Sequence, residues 1–319
     1  MAVTATAMRA RGVSSAGSIL IITLWLVTIL SMLAIAVARY LSLEVRLTRY
    51  RAAREQAMVR ARAGVDLVIR RLALDAQAPE ASGKTYDWAG DEWAEDPGVG
   101  SDTTVSVEDE ASRLSLNGLT TEQLTEITGS TALAEAITDA CDREDPTEDH
   151  VERDPPYMAK NASFTAPEEL GELPGMTVEA YNTLRAVVTP YLASEEPQNI
   201  NTVSAEVLRV LGLSDRAVTL VTRFRDGADG PDAHAQDGVF EEAGLAITET
   251  LKNAEGVDLD GTPDGALLTS NRFAVTSNVF TITAESRTGR PAVRVRIQAV
   301  VRRAGCPETT GPCILAWRE

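Results

Sequence analysis

Residues Ala16–Tyr40 read AGSILIITLWLVTILSMLAIAVARY, and from this stretch the arrangement of the whole chain follows. No charge interrupts the 21 residues from Ser18 to Ala38. At a rise of about 1.5 Å per residue they make a helix about 31 Å long, the thickness of a bilayer's hydrocarbon core. The run is longer than the apolar region of a secretory signal peptide. A buried core helix of this length would carry polar residues on one face. The stretch therefore predicts a membrane-spanning helix.

The helical pattern continues past the apolar run. No proline occurs between Arg39 and Pro79. Met58, Ala61, Val65, Val68 and Leu72 recur at spacings of three and four, with Arg60, Arg62, Asp66 and Arg70 off that stripe. One helix over 18–75 is predicted, spanning a bilayer with its first part and packing on a folded body with its second.

Charge is distributed unevenly. Residues 39–75 hold nine Arg and four acids, whereas residues 76–319 hold 19 Lys/Arg and 43 Asp/Glu. So acidic a body repels phosphate backbones and anionic lipid headgroups. Basic residues tend to stay on the cytoplasmic side of a membrane helix. Arg9 and Arg11 precede the helix, while Arg39, Arg46, Arg49, Arg51 and Arg54 follow it. That rule alone keeps the body in the cytoplasm. The stripe that must pack on the body outweighs it.

Beyond residue 76 the pattern changes three times. TTVSVEDEASRLSLN alternates and predicts two short strands around Glu108–Ser112. Residues 118–265 read mainly as helices. NRFAVTSNVFTITAESRTGRPAVRVRIQAVVRRAG alternates again, with a turn at Thr288–Pro291, and CILAWRE predicts a last strand. The two strand regions, 76–117 and 266–319, are expected to share one sheet. Within the helical block NGLTTEQL, SFTAPEEL and NTVSAEVL form a weak repeat. Thr120 with Gln123 and Thr165 with Glu168 fit capping boxes. ELPGMTVEAYNTL and VLGLSDRAVTLV read as helix-hairpin-helix motifs.

In this order, the parts resemble the K-type minor pseudopilins of bacterial type II secretion systems. AGSILIITLWLVTIL looks like that family's leader junction, and DEWAED followed by TVSVEDEASRLSLN like its first strands. NINTVSAEVLRVLGL looks like its inserted helical domain and ILAWRE like its terminal strand. The resemblance implies an α+β pilin-like fold: a long N-terminal helix on an antiparallel sheet, with an all-α insert of helix-hairpin-helix-like repeats. It also implies a leader over 1–17, cut by a prepilin peptidase between Gly17 and Ser18 and followed by methylation. Gly12 is a second candidate for the cut. Ser18 stands where Phe or Met is usual, which bears on methylation more than on cleavage.

Five residues after Gly17 stands Ile22, where most pilin-like subunits carry Glu. An ammonium terminus is costly to bury unless paired, and that Glu neutralises the terminus of the neighbouring subunit. The resemblance thus implies a filament-tip subunit that helps start assembly with I- and J-type minor pseudopilins and the major pseudopilin. It further implies anchorage in the inner membrane, a periplasmic body and no nucleic-acid partner.

Helix-hairpin-helix modules can bind DNA through backbone N–H groups of a Gly-apolar-Gly turn, so a membrane-anchored DNA-uptake protein is the alternative. Residues 118–265 carry nine Lys/Arg against 30 Asp/Glu, and Thr177 and Ser214 occupy the second turn Gly positions. VDLDGTPDG at 257–265 mimics a phosphatase signature, but no strand precedes it to aim two carboxylates at a metal. The only histidines, His150 and His234, lie in loop-like stretches. A non-enzymatic protein is expected.

Asp142, Glu144, Asp145 and Asp149 belong to a run of seven acids in 13 residues, where calcium would relieve the repulsion. A solvated acidic loop is the other reading; DGADGPDAHAQDG at 226–238 is a weaker candidate. Cys306 and Cys313 flank CPETTGPC, a turn that could join them outside the cytoplasm or leave two thiols within it. Cys141 has no evident mate.

Overall fold

The computed structural model describes residues 15–76, 85–141, 160–227, 238–290, 292–307 and 311–319. Its chain divides into two units, residues 1–56 with 288–293, and residues 57–287 with 294–319.

Helix α1 runs from Ser15 to Asp75. In the first unit its side chains from Ile19 to Val37 are exposed, Ile22 to 62% and Trp25 to 65%. Hydroxyls inside the apolar run are satisfied by the helix itself: Thr23 Oγ1 donates to Leu20 O at 2.9 Å and Thr28 Oγ1 to Trp25 O at 2.8 Å. Ser31 Oγ likewise donates to Val27 O, so these three hydroxyls are paired as a lipid environment would require.

In the second unit, α1 buries the stripe expected of it. Ala57, Ala61, Val65, Val68 and Leu72 are sealed, Met58 nearly so, and Arg60, Arg62, Asp66 and Arg70 stay exposed. The stripe packs on a four-stranded antiparallel sheet of order β1-β6-β7-β8, formed by Thr103–Asp109, Val279–Thr288, Val293–Arg302 and Cys313–Arg318. Phe280, Ile282, Ala284, Val295, Ile297, Ala299 and Val301 face it, as strand alternation requires. At Gly64 helix and sheet meet closely: a Cβ there would lie 2.6 Å from Val105 Cγ2. Strands β1 and β6 pair from Thr103↔Ser286 to Asp109↔Phe280, so the chain between them is an insertion between neighbouring strands.

One expectation about the first strands needs correction. DEWAED forms turns, not a strand. Arg71 donates to the carbonyls of Glu92 and Glu95, and Asp96 Oδ2 accepts from Val105 N, so the segment braces α1 against β1. The two strands expected around Glu108–Ser112 are present: β1 ends at Asp109 and a second, two-residue strand follows a 3-10 turn at Glu110–Ser112. Asp109 Oδ1 accepts from Ala111 N at 2.8 Å, which ends the strand. The two residues of β2, Leu114–Ser115, then leave the sheet and pair in parallel with β3, Val188–Thr189.

Among the described residues the helical block holds α2 (Thr121–Thr128), α3 (Thr131–Cys141), α4 (Val178–Val187), α5 (Ala205–Val210), α6 (Asp215–Asp226), α7 (Leu245–Glu255) and α8 (Pro263–Leu268). A second two-stranded ladder joins β4, Gln198–Asn199, to β5, Phe273–Ala274. These helices share a core of their own that includes Leu114 and Leu116 at one end and Phe273 and Val275 at the other. The packed insert thus reaches a few residues beyond 118–265 on both sides.

Hydroxyl side chains start the short helices: Thr120, Ser130, Thr177, Ser204, Ser214 and Thr262 each accept from a backbone N–H three residues on. Thr120 and Gln123 form a full capping box. Thr165 does not form one with Glu168. Its N and Oγ1 both donate to Glu169 Oε1, because the 3-10 turn that follows starts later, at Pro167.

Candidate assembly surface

Of the residues singled out from the sequence, Gly17 and Ser18 lie in the first turn of α1, and Ile22 stands one turn on, open to solvent. Gly12 and the acidic residues Asp142, Glu144, Asp145 and Asp149 lie outside the described residues. Most of 226–238 does too, although Asp226 itself pairs with Arg225. No group of three or more His, Cys, Asp or Glu side chains among the described residues is arranged to hold a metal.

Cys306 and Cys313 form a disulfide, with Cα atoms 6.1 Å apart. It fastens the start of β8 beside the end of β7. Arg318 fastens the other end, reaching Glu168 at 2.6 Å and Tyr191 Oη at 2.8 Å. Cys141 ends α3 as a free thiol. Burial pushes its pKa up to about 11, which keeps it protonated and unreactive.

Both helix-hairpin-helix turns exist. Each uses a glycine in the positive-φ region, Gly175 at +80° and Gly212 at +100°. In the second, the helix terminus that would meet a phosphate is already occupied. Ser214 N donates to Asp264 Oδ1 at 2.9 Å and Ser214 Oγ to Asp264 Oδ2 at 2.6 Å, so a carboxylate sits at the start of α6. The phosphatase-like VDLDGTPDG is a turn in which Asp258 pairs with Lys252 and Thr262 caps α8.

One constellation gave no sequence signal. Between sheet and helical insert, Asp87, Asp109, Asn199, Asn201 and Ser277 are buried together. Arg303 donates to both carboxylate oxygens of Asp87 at 2.8 Å and to Asp75 Oδ2, at the end of α1, at 2.7 Å. Asn199 Nδ2 donates to Asp87 O, Asp109 Oδ2 and Ser277 Oγ. Asn201 reaches Asp87 O and Phe240 O. Burial raises the Asp109 pKa to about 6, against the lowering effect of hydrogen bonds from Ser277, Thr202 and Ala111; the nearby Asp87 adds to the rise. Arg303 answers the charges of Asp75 and Asp87, and the group holds the two cores in register.

What remains outward is the apolar length of α1, a sheet braced by it, and a helical insert with a net negative charge. The PilX N-terminal family model matches residues 16–66, the helix itself. No curated protein resembles the chain in sequence at a significant level. Among solved structures, the GspK–GspI–GspJ complex of the enterotoxigenic Escherichia coli type 2 secretion system contains a similar chain, its GspK subunit. The TM-score is 0.57 at 16% identity, over 85% of this chain and 98% of that one. The fold is that of a K-type minor pseudopilin. Among the described residues one helix is long and apolar enough to cross a membrane, which is compatible with a single-pass anchor.

Proposed function

We propose that the chain is a minor pseudopilin of a type II secretion system, held in the inner membrane by α1 with its body in the periplasm. One observation carries the proposal. The exposed apolar run from Ile19 to Val37 continues, within a single helix, into the stripe from Met58 to Leu72 that forms the core of the sheet. Such a helix delivers a folded body from a bilayer into a filament of like subunits. The disulfide supports an oxidising compartment, against the distribution of arginines. Ile22 supports a place at the tip, because it offers no carboxylate to the terminus of another subunit.

The role is structural rather than enzymatic. Its partners are I- and J-type minor pseudopilins and the major pseudopilin, and its first step is cleavage after Gly17 by a prepilin peptidase. The acidic run at Asp142, Glu144, Asp145 and Asp149 would hold calcium. That would stabilise the fold by about 2.7 kcal/mol at a hundredfold excess over the dissociation constant.

The test is isolation of the chain from its native membrane. Ser18 as first residue, together with co-isolated I- and J-type subunits, is the expected result. An intact Met1 without those subunits overturns it. Salt-sensitive DNA binding by the isolated chain would favour the DNA-uptake alternative, which the carboxylate at α6 and the acidic insert oppose.

A further inference from the structure

The arginines that follow the apolar run are idle in the fold. Arg39, Arg46, Arg49, Arg51 and Arg54 are all exposed, and among the described residues none of their side chains has a carboxylate or other hydrogen-bond partner. Their distribution around α1 is uneven. At about 100° per residue, Arg39, Arg46 and Arg49 fall on one side of the helix, with Leu43 and Tyr50 beside them. Glu44 and Glu55, the only acids between Arg39 and Arg60, fall on the opposite side.

Height along the helix matters as much as side. Arg39 directly follows Ala38, the end of the uncharged run. Arg46 stands about 12 Å beyond Ala38 and Arg49 about 17 Å. The headgroup layer is about 5–8 Å deep on each side of the hydrocarbon. Its field extends roughly another 8–10 Å before salt screens it. Arg39 therefore lies within the layer, Arg46 reaches back to it along its own stem, and Arg49 feels its field. Tyr40 is 67% exposed at the same depth, where an amphipathic ring is favoured.

The geometry points to a collar formed by Arg39, Arg46 and Arg49 that binds anionic phospholipid headgroups where α1 leaves the bilayer. The collar rests on the membrane anchoring proposed above. Two features favour lipid over an acidic protein surface. Every cation between Arg39 and Asp75 is Arg and none is Lys, and the planar guanidinium matches phosphate oxygens in pairs. Leucine and tyrosine also share the arginine side, as at an interface with acyl chains beneath phosphates. The collar gives the arginines a use on the far side of the membrane, where the charge rule would not place them.

The test uses the full chain in phosphatidylcholine vesicles containing a minor share of phosphatidylglycerol. Either lipid carries a spin label, and the immobilised fraction is read by electron spin resonance. Severalfold selectivity for phosphatidylglycerol, weakened by salt, is expected. The triple variant Arg39→Gln, Arg46→Gln, Arg49→Gln should lose it. Arg60→Gln, Arg62→Gln, Arg70→Gln removes equal charge farther along α1 and should keep it. Equal immobilisation of both lipids, or equal loss in both triple variants, overturns the collar. So does a first triple variant that keeps lipid selectivity but no longer co-isolates with an acidic partner. A chain that floats with vesicles but shows no selectivity defeats the collar alone. One that does not float defeats the anchoring with it.

Discussion

The two larger hydrophobic cores of the second unit are built on different principles. The sheet core relies on length and alternation: one stripe of α1 lies on β1, β6 and β7, and almost every second strand residue is buried against it. The insert core relies on punctuation. Its described helices run from six to twelve residues, too short to persist alone in water, and six are started by a Ser or Thr side chain. Stability in the first is spread along long elements. In the second it depends on many small local agreements, tied to the first through Asp87, Asp109, Asn199 and Arg303. The difference implies that damage to the tie should uncouple the cores, while damage to a cap should stay local.

The largest effect is therefore expected at Arg303. Arg303→Ala leaves Asp87 buried without its cation, a loss of about 3–5 kcal/mol. Calorimetry should show the single melting transition of the parent split in two. One unsplit transition, shifted downward, would mean that the cores remain coupled through apolar contact alone.

Asp109 sharpens the comparison through pH. Its folded-state pKa is about 6 against 3.8 for the free side chain, so the folded chain holds this proton more tightly than the unfolded one. The resulting stability is present below about pH 4 and lost as pH rises through 6, by about 3 kcal/mol. Asp109→Asn cannot titrate there. Denaturant melts at pH 4 and pH 7 should therefore show the parent losing ground to the variant as pH rises; an unchanged difference would place the carboxylate in a wetter site.

The smallest effect belongs to the caps. Ser204→Ala and Ser214→Ala should each cost about 1 kcal/mol. Hydrogen exchange should quicken in α5 and α6 while β6 and β7 keep their protection. Equal loss of protection in the sheet would erase the distinction between the cores.

How far the sequence foretold this structure depends on which kind of regularity a region uses. Met58 to Leu72 and the strands on either side of Thr288–Pro291 were legible because helix and strand periods show directly in apolar spacing. Thr120 and Gln123 were legible as a local motif. Thr165 misled because Pro167 delays the turn, and Glu169 rather than Glu168 then comes within reach. The tie was invisible: Asp87, Asp109, Asn199 and Arg303 come from four distant segments and share no period. Its only trace was Asn199 and Asn201 flanking an apolar Ile200, a pattern common in exposed strands. The calcium expectation falls on residues outside those described, and Gly17 and Ser18 await a chemical answer at the terminus.

Strand β1 meets β6 only after an insert has been laid down, Thr103 against Ser286. That pairing sets an order in time. Closing so long a loop from a loose chain is entropically costly, whereas the contacts inside the insert are short in sequence. Once the insert is compact, the ladders Leu114↔Val188 and Gln198↔Phe273 bring its two ends within it, and the sheet has a short gap to bridge. The insert thus acts as a clock for the pilin body, which cannot close around α1 until the insert has folded. Pulse-labelled hydrogen exchange during refolding should find α5 and α6 protected before β6; the reverse order would make the sheet the leader.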